Sequence, residues 1–169
     1  RTQMSTGFYK VPEPVNERVI NYTPGTNERA TLKAEIEKLR SQVIDIPRII
    51  NGQEVRTDNK VPIHPPHERK HLLGHYYKGD ASHVRMAIEA AMEAKEKWAA
   101  LSWEHRASIF LKAAELIAHP YGDTINAATM LGQSKTVQQA EIDAAALALY
   151  KQAPRLAKDY LTEYTTRTG

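Results

Sequence analysis

Apolar residues recur at helical spacing throughout the second half of the chain, and this pattern restricts the fold more than any other feature. A helix is predicted to begin after Gly79-Asp80, and Ser102 restarts the chain into a second helix. His119-Pro120 closes that second helix, because the residue before a proline disfavours the α region. Two more helices are predicted over about residues 123–131 and 136–150, and a short one ends near about residue 164. The residues that we expect to be buried are Ala91, Trp98, Phe110 and Ile117.

The first half carries one helix signal and one hairpin signal. Thr26 or Asn27 is a plausible cap for a helix after the turn at residues 23–25. Its apolar stripe is predicted to consist of Leu32, Ile36, Leu39 and Val43. Asn51-Gly52 between β-prone residues predicts a hairpin, because both positions accept a positive φ. A further extended piece is predicted at Lys70 to Tyr77.

These patterns together predict a mostly α chain with helical hairpins, a small β-hairpin and an extended amino-terminal arm. The arm is predicted over residues 1–19. The arm contains Pro12 and Pro14 and lacks clear periodicity, which favours an extended conformation.

Charge and composition exclude several classes of function. The net charge is +3, and Lys and Arg alternate with Glu instead of clustering, so we expect no nucleic-acid partner. No apolar run approaches the roughly 20 residues that a transmembrane helix needs. The chain has no cysteine, which excludes disulfides, thiolate metal sites and a cysteine nucleophile within it.

Two sequence patterns resemble ligand sites, but neither has the local structure that its ligand requires. The histidines at positions 64, 67, 71 and 75 are spaced like metal ligands, yet Pro65 and Pro66 interrupt any helix there, so we expect no metal site. The run Gly132 to Thr136 contains Ser-Lys-Thr but has a single glycine and follows a helix instead of a strand. A helix cap at Ser134 or Thr136 accounts for it better than ATP binding.

Three blocks of sequence carry a resemblance to a known family. They read INYTPGTNERATLKAEIEKL from Ile20, IPRIINGQEVRT from Ile46, and AATMLGQSKTVQQAEID ending at Asp143. The chain resembles the Δ1-pyrroline-5-carboxylate (glutamate-semialdehyde) dehydrogenase branch of the aldehyde dehydrogenase superfamily, over residues 20–145. The resemblance implies an arm over residues 1–19, a dehydrogenase-like helical and β segment over 20–145, and a divergent helical tail over 146–169. Beyond Ala145, Lys151, Gln152 and Pro154 stand where that branch carries large aromatic residues.

The resemblance implies one site residue. In the resembled dehydrogenases, the glutamate that matches Glu141 lies near the aldehyde-binding end of the substrate pocket. Family members also use a nicotinamide-binding Rossmann fold and a catalytic cysteine, neither of which we find in this sequence. We therefore predict no catalytic residue and no cofactor in this chain, and we treat Glu141 as a vestige of a substrate pocket.

Two functional hypotheses follow. The first is a non-enzymatic accessory subunit of a mitochondrial assembly, of the respiratory chain or ATP synthase, in which other protein subunits cover its apolar helices. The alternative is a fragment or split half of an NAD-dependent glutamate-semialdehyde dehydrogenase of proline catabolism. Both place the chain in mitochondria, in the matrix or on the matrix side of the inner membrane.

Overall fold

A computed structural model describes residues 18–147 and shows a mostly helical chain with two small sheets. The helices are α1 (Asn27–Arg40), α2 (Ala81–Ala100), α3 (Trp103–Ala118), α4 (Gly122–Gln133) and α5 (Val137–Leu147). The strands are β1 (Ile44–Ile46), β2 (Arg48–Ile50), β3 (Gln53–Val55), β4 (Lys60–Ile63) and β5 (Gly74–Tyr77). No helix among these is long and apolar enough to cross a membrane. Most of the predicted arm and nearly all of the predicted tail lie outside the described residues.

The predicted helix boundaries agree closely with the structure where a cap defines them. Thr26, Asp80 and Ser102 are the N-caps of α1, α2 and α3, and each side chain accepts a backbone N–H from the first turn. Helix α4 differs from the prediction at its end. It continues past Gly132 and ends at Gln133, because Ser134 takes the left-handed conformation, with φ 55°, that terminates the helix.

The Asn51-Gly52 hairpin is confirmed, and a second sheet accompanies it. Strands β2 and β3 pair antiparallel, and the turn residues Asn51 and Gly52 have φ of 52° and 72°. The sequence did not predict the second sheet, in which β5 pairs parallel with β1 and antiparallel with β4. Gly74 permits this pairing, since a Cβ there would lie 2.3 Å from the carbonyl oxygen of Ile44.

The core of the described residues lies between α1 and α4. It consists of Tyr22, Leu32, Leu39, Ala127 and Leu131, with Ile36 packed against it. The predicted stripe of α1 is therefore confirmed except at Val43. That residue follows the end of the helix and is exposed, because the chain has already turned toward β1.

The predicted burial of the α2 and α3 residues is not found in the described part of the chain. Ala91 is exposed, Trp98 is 39% exposed, Phe110 is 36% exposed, and Ile117 is half-buried. Helix α2 contains no buried residue. Ala91 and Trp98 are seven residues apart and share one face of α2, but no described element buries that face. Trp98 packs edge-on against Phe110, with ring centroids 6.4 Å apart, and this pair joins α2 to α3.

Candidate functional site

Glu141 is a buried carboxylate on α5 with several hydrogen-bond donors around it. Glu141 is only 6% exposed to solvent. Oε1 accepts the backbone N–H of Ile20 at 2.9 Å. Oε2 accepts the hydroxyl of Tyr22 at 2.9 Å and the Nδ2 amide of Asn126 at 2.7 Å. Burial of a carboxylate destabilises the fold unless hydrogen-bond donors satisfy its oxygens. These three hydrogen bonds therefore allow Glu141 to be buried at this position.

Tyr22 and Asn126 also bond to each other, which closes the cluster. Nδ2 of Asn126 donates to the Tyr22 hydroxyl at 3.0 Å as well as to Glu141. The amide orientation is fixed, because the flipped form would place its oxygen against the carboxylate. Burial, reinforced by the hydrogen bond to Glu141, raises the pKa of the Tyr22 hydroxyl well above its ordinary value. Tyr22 therefore stays protonated, and its hydroxyl donates a hydrogen bond to Glu141.

The local fold brings these groups together from three parts of the chain. Helix α4 presents Asn126, and the left-handed turn at Ser134 lets α5 return against α4 with Glu141 facing it. Thr136 accepts the N–H of Gln139, whose side chain accepts the N–H of Thr136, so this capping box begins α5. The residues before α1 contact both helices and supply the Tyr22 hydroxyl and the Ile20 N–H.

A cavity of about 320 Å³ adjoins the cluster. Glu141, Tyr22 and Asn126 contribute to its wall, and the opposite walls come from α1 and from the junction of α3 with α4. His119 and Asp123 lie at that junction and line the cavity as well. The sequence singled out Glu141 through its motif but missed Tyr22 and Asn126.

The other candidate patterns do not assemble into sites. Nδ1 of His64 forms a hydrogen bond with the carbonyl oxygen of His71. Nδ1 of His67 forms one with Ser134 Oγ at 2.7 Å, so both of these ring nitrogens are bonded to protein groups. Among residues 18–147, no group of three or more potential metal ligands converges. Lys135, in the segment that suggested a phosphate loop, forms an ion pair with Asp143.

Comparison with known proteins identifies the family. Residues 54–167 match the model of the aldehyde dehydrogenase family, so the matched region continues past residue 145. A Δ1-pyrroline-5-carboxylate dehydrogenase of Agaricus bisporus is 45% identical over 139 residues, covering 82% of this chain. The mitochondrial Δ1-pyrroline-5-carboxylate dehydrogenase of Homo sapiens is 39% identical over 131 residues, or 78% of the chain.

A solved structure gives the same result. The Δ-pyrroline-5-carboxylate dehydrogenase of Mycobacterium tuberculosis bound with NAD is 39% identical, with a TM-score of 0.88 over 93% of this chain. The chain spans only part of these proteins: 26% of the Agaricus relative, 23% of the human one and 30% of the solved chain.

These findings correct the first functional hypothesis. The relatives are dehydrogenases by name, so the prediction of a non-enzymatic accessory subunit of a respiratory-chain or ATP synthase complex is wrong. The prediction that the protein is not an enzyme is wrong for the same reason. The resemblance found in the sequence is confirmed: the chain belongs to the aldehyde dehydrogenase family, and within that family it is similar to the Δ1-pyrroline-5-carboxylate dehydrogenases.

Proposed function

We propose that this chain is the amino-terminal segment of an NAD-dependent Δ1-pyrroline-5-carboxylate dehydrogenase of proline catabolism, which oxidises glutamate semialdehyde. The observation that carries the proposal is the 45% identity over 139 residues to the Agaricus dehydrogenase. The structural agreement with the Mycobacterium enzyme supports the same assignment. On this view, the helical hairpins and the β-hairpin are the opening elements of the family fold.

Glu141 is the residue of this chain that we propose to contribute to the substrate pocket. Its carboxylate lies at the wall of the 320 Å³ cavity and is the acidic side chain of the QAEID motif, which resembles the dehydrogenases' substrate-pocket segment. We assign Glu141 to the aldehyde-binding end of the pocket. The remaining walls and the groups that react with the aldehyde belong to other parts of the enzyme.

The N-terminus of α2 does not fit a dinucleotide. A nicotinamide dinucleotide needs a helix N-terminus free to receive its pyrophosphate after a parallel strand. Strand β5 is parallel to β1 and leads into α2, but the Asp80 carboxylate accepts the N–H groups of Ser82 and His83 at that N-terminus. A second negative charge is disfavoured there, so we place NAD elsewhere in the enzyme.

The exposed apolar face of α2 supports a longer polypeptide. Val84, Ile88 and Met92 are each more than half exposed in the described chain. Soluble proteins rarely leave such a contiguous face bare. The matched Mycobacterium chain has more than two thirds of its length outside the region that this chain covers. We propose that this remainder of the dehydrogenase packs on α2.

The location of the proposed enzyme is the mitochondrial matrix. The relatives from Dictyostelium discoideum, Emericella nidulans and Homo sapiens carry the word mitochondrial in their names. The word mitochondrial supports the organelle, and the matrix is our proposal within it.

The proposed activity is tested on the native protein. We expect the protein captured from its source to reduce NAD in the presence of Δ1-pyrroline-5-carboxylate and to release glutamate in equal amounts, as measured by absorbance at the NADH band and by mass spectrometry of the product. A capture from which NADH formation is absent, although the chain is present and folded, contradicts the proposal.

A further inference from the structure

The Glu141 carboxylate is held by donors from inside the chain that occupy most of its accepting capacity. A carboxylate offers about four acceptor positions. Ile20 N–H occupies one on Oε1, and Tyr22 and Asn126 occupy both on Oε2. The donors among residues 18–147 therefore leave one position on Oε1, on a residue that lines the cavity.

The three donors also fix the plane of the carboxylate, and with it the direction in which the remaining acceptor position faces. Rotation of the carboxylate would break the bonds to Tyr22 and Asn126 on one side and to the Ile20 amide on the other. The donors are not local: Tyr22 is 119 residues from Glu141 in the chain, and Asn126 is 15 residues away on another helix. The orientation of the carboxylate thus depends on the tertiary fold and not on α5 alone.

We propose that Tyr22 and Asn126 are positioning residues, which hold the Glu141 carboxylate so that a single acceptor position of Oε1 receives an N–H or O–H donor of the bound substrate. This inference rests on the proposed function, because that function places Glu141 at the substrate end. Tyr22 and Asn126 act through Glu141 and need no contact with the substrate themselves.

Tyr22→Phe is the variant that tests this role most cleanly. It removes one donor to Glu141 and keeps the ring that packs in the core beside Leu32 and Leu131. The matched control is Tyr121→Phe, the same chemical change on a tyrosine that is 55% exposed. Steady-state kinetics of the native dehydrogenase are compared for both variants, for Glu141→Gln, and for Tyr22→Phe combined with Glu141→Gln.

We expect Tyr22→Phe to raise KM for Δ1-pyrroline-5-carboxylate about tenfold with kcat within about twofold of wild type, because ground-state orientation is lost and the chemistry is untouched. In the Glu141→Gln background, the same change is expected to raise KM by less than about twofold, since the group through which Tyr22 acts is already altered. Tyr121→Phe is expected to leave both constants unchanged.

Two results overturn the inference. One is an unchanged KM in Tyr22→Phe while Glu141→Gln raises it; the proposed function then stands and the positioning role fails. The other is the same fold-increase in KM for Tyr22→Phe in both backgrounds, which is the signature of a purely structural effect. Failure of the proposed function is distinct from both, because the wild-type protein itself would then lack turnover.

Discussion

Replacement of Glu141 by alanine is expected to lower the free energy of unfolding by about 3–5 kcal/mol, because it leaves several donors without an acceptor in a buried site. Those donors are the Tyr22 hydroxyl, the Asn126 amide and the Ile20 backbone N–H. Urea denaturation of wild-type and variant chains, followed by circular dichroism, measures the difference.

The control for this variant is Asp143→Ala, two residues along the same helix. Asp143 is an exposed carboxylate paired with Lys135, and such surface pairs contribute about 0–1 kcal/mol. A loss below about 1 kcal/mol for Glu141→Ala, equal to that of Asp143→Ala, would show that the buried cluster does not hold residues 20–22 against α5.

Leu32→Ala is expected to lower the free energy of unfolding by about 2–5 kcal/mol through loss of buried area and the cavity left behind. Leu32 is 4% exposed and lies in the core between α1 and α4. The same urea titrations provide the measurement.

Met92→Ala is the matched comparison, because it also shortens a large apolar side chain within a helix. Met92 is 60% exposed on α2, so in the isolated chain, without the remainder that we propose packs on α2, its replacement is expected to change stability by no more than about 0.5 kcal/mol. A loss for Met92→Ala as large as that for Leu32→Ala would contradict the observed distribution of the core.

Local signals in the sequence were sufficient for the helix starts and the hairpin. Caps at Thr26, Asp80 and Ser102 depend on a few adjacent residues, as does the turn at Asn51-Gly52. The sheet of β1, β5 and β4 was missed because it pairs short strands that are distant in sequence, and Pro62 within β4 weakens the strand pattern.

Burial on α2 shows a different limit of sequence reasoning. The period of apolar residues states which side chains share a face, but it contains no information about what covers that face. Trp98 was therefore assigned to a core that the described residues do not form. The same spacing on α1 predicted Leu32 and Leu39 correctly, because α4 lies against them.

The site was only partly accessible to prediction. Glu141 stands in a motif that carries a family resemblance, so it was found. Tyr22 and Asn126 have no local pattern that marks them, since their role arises from contacts across 119 and 15 residues of chain. Asn126 could have been noticed as a polar residue directly before Ala127, which is fully buried on the inner face of α4.

The substrate selectivity of the native protein tests the central claim most directly. The measurement is the ratio of kcat/KM for Δ1-pyrroline-5-carboxylate to kcat/KM for acetaldehyde, with NAD as the oxidant in both assays. A member of the branch to which the chain is similar is expected to prefer Δ1-pyrroline-5-carboxylate by at least about 100-fold, because a pocket built for a polar substrate discriminates strongly against one that leaves its groups unpaired. A ratio near one, or a preference for acetaldehyde, would contradict the account.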